Sequence, residues 1–225
     1  MPCLPPRSLL ASLRSPPSAC LCPPRSGGSN FAGIAFPFLG ELLRGEAPKK
    51  ARFVAVEPSA CPSLTKGIYA YDFGDTAQMT PLIKAHTLGA SFMPPSLHSG
   101  GLRYHAMAPA ISHIKELGLL EARAVKQTSA FAAGHSFFSA EGILPAPEAT
   151  HAIEGALVEA TEAAASGKDC VVLFNMCGHG HFDMLAWQKY AAGEIEDYEY
   201  PNALVQEALK SVPGLNGVDW PMPEK

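Results

Sequence analysis

Ser26-Gly27-Gly28-Ser29-Asn30 stands immediately before a mostly apolar stretch, Phe31 to Leu43. Glycines let a backbone approach an anion closely, and a helix N-terminus offers unpaired N–H groups at the positive end of its dipole. Ser and Asn side chains add donors, so the stretch has the composition of a phosphate cradle. A Gly-rich turn without a ligand has the same composition. Further along, Cys177, His179 and His181 form an i, i+2, i+4 set of metal-ligand types. Structural zinc sites need four ligands, and no second cluster is in view, so the set reads as a loop shaping a pocket and no metal is predicted. Glu148 opens a predicted helix, where a carboxylate either serves a site or simply stabilises the first turn. Cys177 is either a weak thiol donor or a small buried residue at a strand end.

The elements that must position these residues follow from apolar spacing and punctuation. Phe31 to Leu43 predicts a helix, with Pro37 near a kink or early turn. Arg52 to Val56 predicts a buried strand ending at Glu57-Pro58, and residues 57 to 109, rich in Gly and Pro, read as long loops carrying functional surface. Ala110 to Leu117 predicts a helix stopped by Gly118, and Thr128 is placed to cap another running to Ala140. Pro147 suits the first position of a helix that carries Ile153, Leu157, Ala160 and Ala164 and stops near Gly167. Cys170 to Phe174 is a continuous apolar run suited to a central parallel strand, and Asp183 is placed to cap a last substantial helix through Tyr190. Strands alternating with helices predict an α/β fold, a parallel sheet flanked by helices.

The first 25 residues have another texture. Paired prolines (Pro5-Pro6, Pro16-Pro17, Pro23-Pro24), serines, three arginines and no acidic residue before Glu41 predict a disordered leader, residues 1–25, with the folded part in residues 26–225. Such a leader is either transit-like or a mis-assigned start.

Over 225 residues, hydrophobic side chains make up 47% and charged ones 17%, enough for a real core. A net charge of −4 and a pI near 6.0 predict no nucleic-acid partner. Apolar runs stop well short of the roughly 18 residues a membrane helix needs, which predicts no membrane partner. The six cysteines form no CxxC pair and read as reduced thiols rather than a disulfide framework.

Seven stretches in fixed order carry a resemblance. Gly27 to Gly33 and Arg52 to Pro58 are followed by Cys61-Pro62-Ser63-Leu64-Thr65-Lys66-Gly67 and by Tyr71-Asp72-Phe73-Gly74-Asp75-Thr76. Gly100-Gly101-Leu102-Arg103-Tyr104-His105, Glu141-Gly142-Ile143-Leu144-Pro145-Ala146-Pro147-Glu148 and Leu173-Phe174-Asn175-Met176-Cys177-Gly178-His179-Gly180 complete the order. Over residues 26 to 210 the chain resembles the C-terminal half of the tryptophan synthase beta family, in its second branch, among the fold-type II enzymes that use pyridoxal 5′-phosphate.

The resemblance implies that cofactor and admits a monovalent cation. It implies that Gly27, Gly28, Ser29 and Asn30 bind the phosphate, that Glu148 lies beside the ring and that Cys177 faces the ring nitrogen. Arg103 falls near the substrate, or is an ordinary loop charge. Ser26 replaces the family's first glycine, and Cys177 replaces its usual serine. A thiol, with an ordinary pKa of about 8.5, cannot hold a ring nitrogen protonated as Asp would, which suits elimination and replacement on serine. The implied reaction is L-serine with indole to L-tryptophan, by a homodimer when full length, in the cytoplasm or a plastid stroma. None of the lysines stands in the context of the family's Schiff-base lysine, so no catalytic residue is assigned and the chain as written is expected to be inactive. The alternatives are a deaminase of serine or a related hydroxy amino acid, or a non-catalytic fragment that binds the cofactor or pairs with a separate N-terminal half. Half a sheet also predicts an open edge and marginal stability.

Overall fold

A computed structural model of the chain describes residues 19–22, 28–46, 51–167, 169–198 and 202–214. In chain order the elements are β1 (Ala19–Cys22), α1 (Ser29–Leu43), β2 (Ala51–Pro58), α2 (Ser63–Lys66), β3 (Ile68–Phe73) and β4 (Leu82–Thr87). They continue with α3 (Pro109–Glu116), β5 (Glu121–Val125), α4 (Gln127–Glu141), α5 (Pro147–Ala165), β6 (Val171–Phe174), α6 (Met184–Ala191) and α7 (Asn202–Leu209). Four strands form a parallel sheet in the order β5-β2-β1-β6, and β3 pairs antiparallel with β4.

Strand β2 shows why helices cover both faces of the sheet. Successive strand residues point to opposite faces. Phe53 and Ala55 pack with Phe31, Ala35, Phe38 and Leu39 of α1 and with Ile111 of α3, while Val54 and Val56 pack with Val125 and Ala130 on the other side. A strand buried on both faces has no polar positions to alternate, which is why it reads as an unbroken apolar run. Helix α5 starts with Pro147 at its first turn, as its sequence predicts, and runs against all four strands. Helix α1 continues through Pro37, with buried side chains on both sides of the proline holding the two halves in register.

Several expectations are corrected. The apolar run expected to be a central strand forms β6, an edge strand that is not buried. The segment read as a leader outside the fold contains β1, which pairs with β2 through Ala19↔Ala51 and with β6 through Cys22↔Phe174. Four residues between two partners satisfy backbone groups on both sides, a gain that flanking proline pairs hide from a local reading. Residues 57 to 109 are not all loop, because Ile68–Phe73 and Leu82–Thr87 form a hairpin in full register. Thr128 does not cap its helix. Its own N–H and Oγ1 both donate to the Asp197 carboxylate, at 2.9 and 2.8 Å, across 69 residues of chain. Asp183 stands at the N-cap of α6 without a side-chain capping bond.

Candidate functional site

From β1 the chain moves through α1 to β2 and on to β5 in one direction, while β6 lies on the other side of β1. The order therefore reverses at the β1/β6 boundary. Such a boundary opens a crevice in which parallel α/β sheets bind ligands. In sequence Gly28, Ser29 and Asn30 come after β1, and the loop leaving β6 contains Cys177. Gly27 lies outside the described residues.

Gly28 is the N-cap of α1, with φ 109° and no side-chain capping bond above it. A Cβ there would stand 2.8 Å from Ala108 Cβ and 3.1 Å from Met107 Sδ, so both the left-handed backbone and the close approach require glycine. Ser29 is exposed and Asn30 half-buried on the first turn. Among the described residues no side chain caps the N–H groups of this turn, and with the helix dipole they make this end of α1 suited to an anion. Beside it opens a cleft of about 310 Å³, walled by Ala32, Phe36, Tyr104 and Ile111.

Glu148 lies in the first turn of α5. The approach to that turn is tied to the loop after β6: Ala146 N–H donates to Gly178 O at 2.9 Å, Gly180 N–H donates to Leu144 O at 2.8 Å, and Pro145 bridges His179. These ties bring Glu148 and Cys177 to one locale. Cys177 is open to solvent on one side, yet the protein around its sulfur pushes the thiol up from its ordinary value, and the Glu148 carboxylate pushes it further. The sulfur therefore stays a protonated donor at neutral pH. The reading of Cys177 as a small buried residue does not hold, since the residue is exposed. The His179 and His181 rings lie tilted to one another with centres 4.7 Å apart, and among the described residues no three His, Cys, Asp or Glu side chains gather as a metal site.

Arg103 is exposed and closes a short 3-10 turn, Gly100–Leu102, with one guanidinium nitrogen donating to Pro94 O at 3.1 Å. The segment from Gly100 to Ala108 spans the site: Gly101 donates to Glu148 Oε1 at 3.0 Å, and Met107 and Ala108 press on Gly28. Two features beside these residues escape sequence reasoning. Gly101 is one of a glycine pair whose partner, Glu148, is 47 residues away. His151 sits one turn beyond Glu148 on α5, and its spacing of three was the available signal. It is 1% exposed, its Nδ1 lies 3.0 Å from Pro147 O, and its Nε2 is buried without a partner. A carbonyl only accepts, so Nδ1 carries the hydrogen, and burial pushes the ring's pKa down to about 4.

Comparison with known proteins shows the family. The family model described as pyridoxal-phosphate dependent enzyme matches residues 8–178. The tryptophan synthase beta chain 2 of Aquifex aeolicus is 52% identical over 172 residues, 76% of this chain and 40% of that one. Its counterpart from Methanosarcina mazei is 55% identical over 170 residues, 76% of this chain and 38% of that one. The matched part of the chain thus spans about two-fifths of the length of these curated relatives. Among solved structures, an L-serine ammonia-lyase from Rhizomucor miehei superposes with a TM-score of 0.56 at 16% identity, covering 84% of this chain and 54% of that one. The processed form of threonine deaminase isoform 2 from Solanum lycopersicum gives 0.51 at 14% identity, over 83% of this chain and 46% of that one. At such identities the likeness is one of fold.

Proposed function

This chain belongs to the pyridoxal-phosphate-dependent enzymes, and from that premise we propose that it is the cofactor-holding C-terminal part of a tryptophan synthase beta-type lyase, which joins L-serine and indole into L-tryptophan. The observation that supports this reading is the pairing of Glu148 with the Cys177 loop, beside a sheet whose strand order reverses between β1 and β6, the strands from which the chain goes on to Gly28 and to Cys177.

The residues present fit the cofactor. Gly28 gives α1 the left-handed entry that its packing against Met107 and Ala108 requires, and the turn after it, capped by no side chain among the described residues, has N–H groups to give to a phosphate. Gly27, Gly28, Ser29 and Asn30 would hold that phosphate. Cys177, protonated at neutral pH, would donate to the ring nitrogen without transferring a full proton to it, and Glu148 would stand beside the ring. Bound pyridoxal phosphate supplies an electron sink for the substrate's α-carbon. Arg103 would meet the substrate from the strap above Glu148. The cleft beside Ser29, lined by Phe36 and Tyr104, has the apolar walls a bicyclic aromatic co-substrate needs. No lysine of this chain takes the role of the covalent cofactor anchor, so in this reading the described residues bind and orient, and the anchor comes from the portion of the relatives that this chain does not match.

A second reading, deamination of serine or a related hydroxy amino acid, is favoured only by the likeness to the ammonia-lyase and deaminase folds. Incubating the protein isolated from its source with pyridoxal phosphate, L-serine and indole separates the two. Tryptophan formed as indole disappears supports the first reading; a keto acid and ammonia formed with indole untouched supports the second.

A further inference from the structure

We infer that Glu148 is a positioning residue: its carboxylate latches the Gly100–Leu102 turn through the Gly101 amide and thereby sets where Arg103 stands. The inference deepens the proposed function, on which it relies for giving Arg103 a substrate to face; the latch itself is testable without any cofactor.

Arg103 sits between two ties of different origin. Downstream, the strap is bound to the β4 side: Cys61 Sγ donates to Tyr104 O at 2.9 Å, Leu88 N–H to His105 O at 2.8 Å, and Met107 N–H to His86 O at 2.9 Å. Upstream, Leu102 N–H donates to Ser99 O and Arg103 N–H to Gly100 O, so Arg103 is the closing residue of its turn and moves as that turn moves. The turn is anchored to α5 by Gly101 N–H on Glu148 Oε1. A charged acceptor makes this about twice as strong as a neutral hydrogen bond.

The packing fits the same role. A Cβ on Gly101 would stand 3.3 Å from Glu148 Cγ and 3.4 Å from Oε1, so the Glu148 side chain packs close against the glycine. The latch point is itself fixed, because the entry to α5 is bound to the loop after β6 through Ala146 and Gly178. Only Oε1 of Glu148 is spent on the strap. Among the described residues Oε2 carries no hydrogen bond, which leaves it for the ring side of the site. One carboxylate therefore ties the placement of Arg103 to the same helix turn that borders the cofactor.

The test is trypsin cleavage after Arg103, timed by mass spectrometry in the cofactor-free 225-residue chain, with cleavage after Lys189 in α6 as the internal reference. Glu148→Ala removes the acceptor and is expected to speed cleavage at Arg103 by about tenfold or more, with the Lys189 rate unchanged. Glu148→Gln keeps a carbonyl oxygen for Gly101 and is expected to stay within about twofold of the unaltered chain. Cleavage of Glu148→Ala at the unaltered rate, or Glu148→Gln as fast as Glu148→Ala, overturns the latch. Should Glu148→Ala not fold, hydrogen exchange at the Gly101 amide of the unaltered chain decides: protection supports the latch, and exchange at the free-peptide rate overturns it. Neither measurement involves pyridoxal phosphate, so a failed latch and a failed cofactor assignment are told apart.

Discussion

Acidifying the protein should expose the neutral imidazole buried in α5. His151 is 1% exposed, its ring is held by Pro147 O through Nδ1, and its Nε2 has no partner, so a second proton there would be a buried charge with nothing to balance it. Burial holds its pKa at about 4 in the fold, against an ordinary 6.5. The unfolded chain therefore takes up a proton before the folded one does. Stability from this group is fully present above pH 6.5 and is lost as pH falls toward 4. Linkage over that window makes the loss about 2 kcal/mol at pH 5 and about 3 kcal/mol at pH 4. Urea unfolding at pH 7, 6 and 5 reads it, with His151→Gln as the non-titrating reference that cancels the carboxylates and the other histidines. The unaltered chain should lose about 2 kcal/mol more than His151→Gln between pH 7 and pH 5. Parallel stability curves for the two would refute the assignment of a buried neutral ring.

Three further outcomes are expected. Gly28→Ala forces a side chain onto a left-handed backbone and against Ala108, and should destabilise the chain by about 1 to 3 kcal/mol in urea unfolding. Asp197→Ala uncaps α4 by removing the acceptor of Thr128 N–H and Oγ1, and should cost about 1 kcal/mol, seen as a lowered urea midpoint at unchanged slope. Cys177, its thiol pushed up by its surroundings, should be modified by iodoacetamide at a rate still rising above pH 9 when its own peptide is followed by mass spectrometry; a rate that levels below pH 8 would contradict that environment.

What the sequence discloses depends on how local the cause is. The apolar run 52–56 and the start of α5 at Pro147 were legible because strand burial and helix entry leave marks within a few residues, whereas the run 170–174 discloses a strand but not its edge position, which the order of the whole sheet decides. The strand Ala19–Cys22 was not, since its stability comes from β2 and β6 while its immediate neighbours are prolines. Tyr69, Tyr71 and Phe73 alternate as a strand does, yet the surrounding Gly and Pro residues outweighed that signal. Gly28, Ser29 and Asn30 announce an anion site by composition, whereas the meeting of Glu148 with Gly101, and of Asp197 with Thr128, is a product of the tertiary fold. No local pattern encodes a carboxylate that reaches 47 or 69 residues away.

The central claim, a pyridoxal-phosphate site built from the Gly28 turn, Glu148 and Cys177, is tested most directly by equilibrium titration with pyridoxine 5′-phosphate. Its alcohol cannot condense with surface lysines, so it reports only the phosphate and ring contacts assigned to these residues. The account predicts saturable one-to-one binding, followed by the ligand's own fluorescence, and binding of pyridoxine without the phosphate at least about tenfold weaker, as loss of charge-assisted hydrogen bonds implies. Equal binding of the two compounds, or no saturable binding of either, would contradict it.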